Sequence, residues 1–106
     1  MGAAEVPVLG LAHPVLHPGR NLSVRRGSRW HGIARVRILL PGGGLSEPLP
    51  LDTRVLAFER LTEADLADEH DPACRTPSGL LAVLQRHYPG FAAHETVTLC
   101  AFHWPG

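Results

Sequence analysis

The apolar residues of this chain change period twice, and that change limits the folds open to it. They recur every second position up to about residue 60, at helical spacing between 62 and 88, and every second position again over 96–103. Side chains alternate across a strand and return every 3.6 residues on a helix. The order read from this is several strands, two short helices and a closing strand. A small α+β domain, a mixed β-barrel with two short helices flanking one side, fits that order better than alternating βαβ units.

Individual segments sharpen the outline. Residues 5–12 are apolar and read as a strand, broken by His13-Pro14 and His17-Pro18-Gly19, since the residue before a proline is pushed out of the helical region. In 20–26, Leu22 and Val24 alternate with polar residues. In 33–40, Ile33, Val36 and Ile38 alternate with Arg35 and Arg37, and Pro41-Gly42-Gly43-Gly44 is a turn. A strand over 51–60 is expected to pack Val55, Ala57 and Phe58 inward.

Thr62-Glu63-Ala64-Asp65 then fits a capping box, with Leu61 and Leu66 as its hydrophobic staple, and predicts a helix near 63–70. Thr76-Pro77-Ser78 opens a second helix carrying Leu80, Leu81, Leu84 and Tyr88 on one face and ending at Pro89-Gly90.

The 106 residues suffice for one domain spanning 1–106. Gly and Pro, 11 and 10 residues, agree with many turns and short elements. No apolar run is long enough to span a membrane, and the start of the chain carries no secretory pattern. Val6 stands where a myristoylation site at Gly2 needs Ser or Thr. Two cysteines, Cys74 and Cys100, make no disulfide framework and suit a reducing, cytoplasmic setting.

The formal charge is +0, unevenly spread. Residues 1–46 hold six arginines and one acid; residues 47–106 hold four arginines and nine acids. The cations are all arginine.

Three groups of residues bear on function. In Gly19-Arg20-Asn21-Leu22-Ser23-Val24-Arg25-Arg26, residues two apart share a strand face. Asn21, Ser23 and Arg25 therefore line one side, and Arg20 can swing toward it. Arginine donates paired hydrogen bonds to phosphates and stacks on planar bases. Charged strand residues are mostly just exposed, so a solvated edge strand explains the same spacing.

The second group is the acidic run Glu63, Asp65, Asp68, Glu69 and Asp71. On a continuous helix Asp65 and Glu69 share a face. The helix dipole accounts for Glu63 and Asp65, at roughly 0.3–1 kcal/mol each, but not for Glu69. The third group is Arg26, Arg29, Trp30 and His31, basic residues with an interleaved aromatic, as in sites that stack single-stranded bases. Trp30 equally suits the end of a core.

Metal chemistry finds little support. His13 and His17, and His70 and Cys74, are each four apart but interrupted by prolines, and no CxxC or HExxH occurs. Gly42-Gly43-Gly44 lacks the following Lys-Ser/Thr of a phosphate loop. The sequence calls for no metal and no cofactor.

Over residues 15–103 the chain resembles the ASCH domain family of the PUA-like superfamily. The resemblance is carried by Leu61-Thr62-Glu63-Ala64-Asp65-Leu66-Ala67-Asp68-Glu69, by the helix ending Tyr88-Pro89-Gly90, and by the strand Val97-Thr98-Leu99-Cys100-Ala101-Phe102. Upstream, Gly19-Arg20-Asn21-Leu22-Ser23-Val24-Arg25 is similar to the family's Gly-Lys-Lys-Thr signature region. The resemblance implies a cleft between barrel and helices that binds RNA.

A small bacterial branch of the family hydrolyses N4-acetylcytidine to cytidine with a lysine, a threonine and a glutamate. By that resemblance the three positions fall on Arg20, Ser23 and Glu69. Ser keeps the hydroxyl and Glu69 is retained, but arginine cannot shed its proton as lysine can. Gly32-Ile33 stands where the family often has Gly-Asp.

The expectation is an RNA-binding or modified-nucleoside-binding domain, with Arg20, Ser23 and Glu69 as amidohydrolase residues. Asn21, Arg25, Arg26, Arg29, Trp30 and His31 would be ligand contacts. Two alternatives stand beside it. One is a ribonuclease using Arg25, Arg29 and His31; the other is a binding module without chemistry. A further reading pairs the basic and acidic halves between copies of the chain.

Overall fold

In the computed structural model, residues 5–11, 15–40 and 42–105 are described. The Gly2 position, Ala12, the His13-Pro14 break and the Pro41 of the glycine-rich turn lie outside them.

Among the described residues the fold is α+β, with six strands in two sheets and two α-helices. The strands are β1 (Val8–Gly10), β2 (Gly19–Arg26), β3 (Arg35–Leu39), β4 (Leu49–Pro50), β5 (Asp52–Ala57) and β6 (Thr96–Trp104). The helices are α1 (Glu63–Leu66) and α2 (Pro77–His87). One sheet has the order β1-β3-β4, with β1 parallel to β3; the other is antiparallel, with the order β2-β6-β5. The chain changes sheet at buried Leu51, whose amide donates to the Ala34 carbonyl at 2.8 Å.

The expected barrel is not closed among the described residues. β1 has three residues and β4 two, too few to carry a ladder around a full circle.

Three layers result. Leu22, Val24, Leu66, Leu80, Leu84, Phe91, Val97 and Leu99 form a core between the second sheet and the helices. Leu9, Val36, Ile38, Leu51, Cys100 and Phe102 form another between the two sheets. β6 lies in the middle and is buried from Val97 to Phe102, with alternate residues serving the two cores. A strand covered on both faces reads as a nearly continuous apolar run, as this one does.

β2 is covered in the same way: Asn21, Leu22, Ser23 and Val24 are all buried, so it is not a solvated edge strand. Its free edge is also closed. The Leu22 amide donates to the Asp68 carbonyl at 2.8 Å and the His70 amide to the Leu22 carbonyl at 2.9 Å, a parallel bridge between Leu22 and Glu69.

This pairing corrects the expected helix over 63–70. The capping box forms as the sequence predicts, with the Asp65 amide donating to Thr62 Oγ1 and the Thr62 amide to the Asp65 carboxylate. Leu61 and Leu66 are both in the core. The helix nevertheless stops at Leu66, because the backbone of 68–70 finds its partners on β2 rather than in a further helical turn. Asp65 and Glu69 therefore do not share a helix face.

Val55 is a second correction: it is exposed on the edge strand β5, while Leu56 beside it packs on the core and Phe58 is buried.

Candidate functional site

A cavity of about 180 Å³ opens at the edge of β2, between the layers. β1 contributes Gly10, β2 contributes Ser23 to Arg26, and the connection after α1 contributes Glu69, His70 and Asp71. Cys74 and one face of α2, including Leu80, Val83, Leu84 and His87, complete the wall with Tyr88.

Two of the three residues implied by the resemblance meet here. Ser23 is 3% and Glu69 1% exposed, and both line the cavity. The strand parity that buries Leu22 toward the helices turns Ser23 toward the other sheet, opposite Cys100. Glu69 arrives from the other side, held by the backbone bridge to Leu22.

Its surroundings are polar. Glu69 Oε1 accepts from His70 Nδ1 at 2.6 Å and from the Asp71 amide at 3.2 Å, and Arg75 Nε holds the Glu69 carbonyl at 3.0 Å.

Arg20 is not in this cavity. It shares the parity of Leu22 and Val24, stands at the exposed start of β2, and donates to Asp68 Oδ2 at 3.0 Å. It lines a separate hollow with Arg54 and Asp65, whose side chains pair at 2.9 Å.

Arg25 and Arg26 are the arginines lining the cavity, and Arg25 is the one bonded to Ser23. Its Nε donates to Ser23 Oγ at 3.0 Å, its Nη2 donates to the Gly10 carbonyl, and its guanidinium lies 6.0 Å from the centre of the Trp30 ring. Burial pulls the Arg25 guanidinium below its ordinary pKa, with the Glu69 carboxylate among the charges opposing the shift.

The remaining expected contacts divide. Asn21 is fully buried, and its amide is used on the backbone: Nδ2 donates to the His17 and Gly19 carbonyls at 2.8 and 3.1 Å, while Oδ1 accepts from the His17 amide at 3.2 Å. It holds the turn before β2 rather than facing the cavity.

Arg26 stands at the rim, paired with Glu95 at 2.8 Å and 5.0 Å from the Tyr88 ring centre. Trp30 packs against the core between the sheets. Arg29 and His31 are exposed in the loop after β2, and neither lines the cavity.

The basic and acidic halves meet within the chain, through Arg20–Asp68 and Arg26–Glu95.

The wall also holds residues that the sequence did not mark for this site. Tyr88, which shares the helical spacing of Leu80 and Leu84, is 41% exposed at the rim. It follows the last residue of α2, where the helix ends.

His70 and Cys74 come together with Asp71, and Cys74 Sγ donates to Asp71 Oδ2 at 3.7 Å. Among the described residues no three His, Cys, Asp or Glu side chains are gathered as a metal site. Burial, with the Glu69 and Asp71 charges adding to it, pushes the Cys74 thiol up to about 12, so it is protonated and a poor nucleophile.

His70 is held above its ordinary value. Burial alone would lower it, but the hydrogen bond and charge of Glu69 outweigh that, with the Leu22 carbonyl helping and Arg25 opposing. The sequence signal for His70 was its adjacency to Glu69; spacing offered only an interrupted pair with Cys74.

Comparison with protein families, with curated proteins and with solved structures finds no match to this chain.

Proposed function

We propose that this is a PUA-like domain of the ASCH type that takes an RNA-derived modified nucleoside into the cavity and hydrolyses the amide of N4-acetylcytidine. The observation that carries the reading is the meeting of Ser23 and Glu69 on one cavity wall, with Arg25 bonded to the serine. At about 180 Å³ the cavity is smaller than the roughly 300–1,000 Å³ of pockets enclosing drug-sized ligands, which favours a single base with a small acyl group.

In this scheme Ser23 is the nucleophile or orients the attacking water, and Glu69 accepts or relays the proton. The oxyanion forming on the acetyl oxygen is stabilised by a guanidinium, the role the resemblance gave to Arg20. We assign it to Arg25, which lines the cavity while Arg20 is paired with Asp68. Tyr88 and Arg26 at the rim would stack on the base or meet the ribose side. Two free, buried cysteines suit a reducing compartment, and we place the protein in the cytoplasm.

The test is incubation of the purified protein with N4-acetylcytidine, following cytidine and acetate. Release of both is expected, with Glu69→Ala lowering turnover at least about a hundredfold and Arg25→Ala costing more than Arg20→Ala. No cytidine at high enzyme concentration overturns the hydrolytic reading.

A binding module without chemistry is the second reading. It is favoured by the engagement of Arg20 with Asp68, which removes the family's cation from the cavity. Its mark is RNA affinity that falls steeply with salt and survives Glu69→Ala.

A further inference from the structure

We infer that Glu69 and His70 form a proton-transfer dyad, in which Glu69 orients the imidazole through Nδ1 and Nε2 serves the cavity. The inference deepens the hydrolytic reading and rests on it for its substrate.

The geometry is specific about the ring. Nδ1 lies 2.6 Å from Glu69 Oε1 and 3.0 Å from the Leu22 carbonyl oxygen. Both neighbours are acceptors, so Nδ1 carries the hydrogen. In the neutral ring Nε2 then has a lone pair and accepts. Among the described residues no protein partner engages Nε2, and His70 lines the cavity beside Ser23 and Arg25. Glu69 Oε1 is meanwhile engaged by His70 and the Asp71 amide. A carboxylate that fixes the tautomer of a neighbouring imidazole is a general arrangement for a histidine base.

The backbone holds both members. The His70 amide donates to the Leu22 carbonyl at 2.9 Å, and the His70 carbonyl accepts from the Val15 amide at 2.9 Å. The charged or titratable groups sharing the cavity with the ring are Arg25 and Arg26 from β2, Glu69 and Asp71 from the connection, Cys74 beside it, and His87 and Tyr88 at the end of α2.

In the step assigned to the dyad, Nε2 removes a proton from the attacking water or from the Ser23 hydroxyl. The oxygen so freed bonds to the acetyl carbon, and the carbonyl electrons move onto the oxygen near Arg25. The carbonyl then re-forms as the C–N4 bond breaks, and the proton passes from Nε2 to the departing cytosine nitrogen. On the direct route water supplies the new C–O bond and the products are acetate and cytidine. On the serine route a second water, deprotonated by Nε2, bonds to the acetyl carbon; the bond from that carbon to Ser23 Oγ breaks, Nε2 returns the proton to Oγ, and acetate leaves.

Two substitutions separate chemistry from structure. His70→Asn can keep a donor near the Nδ1 position and removes the Nε2 position. If His70 is only structural, this variant folds and reacts like the wild type. If the dyad operates, kcat/KM for N4-acetylcytidine falls about a hundredfold or more. The rise of wild-type kcat/KM with pH through the imidazole titration also disappears. Glu69→Gln should shift the ring toward a mixture of tautomers.

Nitrogen-15 NMR of the histidine ring tests the arrangement without turnover. Hydrogen on Nδ1 in the neutral ring, with an Nε2 signal that moves when cytidine is added, supports the dyad. Hydrogen on Nε2, an Nε2 signal unmoved by cytidine, or a His70→Asn variant as active as the wild type overturns it. If the wild type releases no cytidine, the hydrolytic reading falls, and the two NMR results still decide the dyad in the same way.

Discussion

At the scale of single residues, burial and partner count separate the groups that hold the fold from those that face the cavity. Asn21 is the clearest structural case. Its amide meets three backbone groups around the turn before β2, and removing it leaves part-buried polar groups without partners. Asn21→Ala should cost about 1–3 kcal/mol, read as a lower midpoint in urea unfolding. His70 offers a pH test. Its value in the folded protein is raised above the unfolded 6.5, so its contribution is fully present below 6.5 and is lost as pH rises through the folded value. Wild-type stability should therefore decline on that alkaline side, and the decline should be missing in His70→Asn; equal slopes in the two proteins would refute it. Asp65 behaves in the opposite sense. The Thr62 amide and Arg54 hold its carboxyl below 3.8, so its contribution is present above 3.8 and is lost as pH falls through the folded value.

At the scale of elements, the junction between the turn Pro72–Cys74 and α2 leaves no room for a side chain at Gly79. A Cβ on Gly79 would stand 2.1 Å from the Ala73 carbonyl oxygen, a backbone atom that cannot swing aside. Gly79→Ala should destabilise by about 1–3 kcal/mol through overpacking, although alanine is the better helix former. A variant as stable as the wild type in urea would show that the turn moves freely. The same junction carries Cys74 and Arg75 toward the Glu69 segment, so the variant should also weaken the nucleoside binding proposed above. Leu66, the last residue of α1, is fully buried beneath the sheet. Leu66→Ala should cost about 2–5 kcal/mol, as measured by the same unfolding experiment. α1 is only one turn long, and its order depends on this side chain and on the capping box.

At the scale of the whole molecule, two cores on either side of one sheet explain the behaviour expected of the thiols. Cys74 lies in the core beneath the helices and Cys100 in the core between the sheets. Burial pushes Cys100 up to about 11, against the pull of Arg25, and Cys74 reaches about 12. Both should resist a thiol-specific disulfide reagent at pH 8 in the native state and react fully in denaturant; rapid native labelling would contradict this packing. The sequence alone determined the coarse order of strands, two short helices and a closing strand, the capping box at Thr62, the helix after Thr76 and the strand over 96–103. These depend on local spacing, on caps and on turn residues, which a linear reading contains. It also marked Ser23 and Glu69 through resemblance. Tertiary structure decided where α1 stops, because the backbone of 68–70 pairs with a strand more than forty residues earlier. That pairing set both Glu69 and His70 in the cavity wall. Strand parity together with the second sheet set Arg25 in the cavity wall and turned Arg20 outward to Asp68. No local pattern encodes such choices, because they depend on which distant surface covers each face of β2.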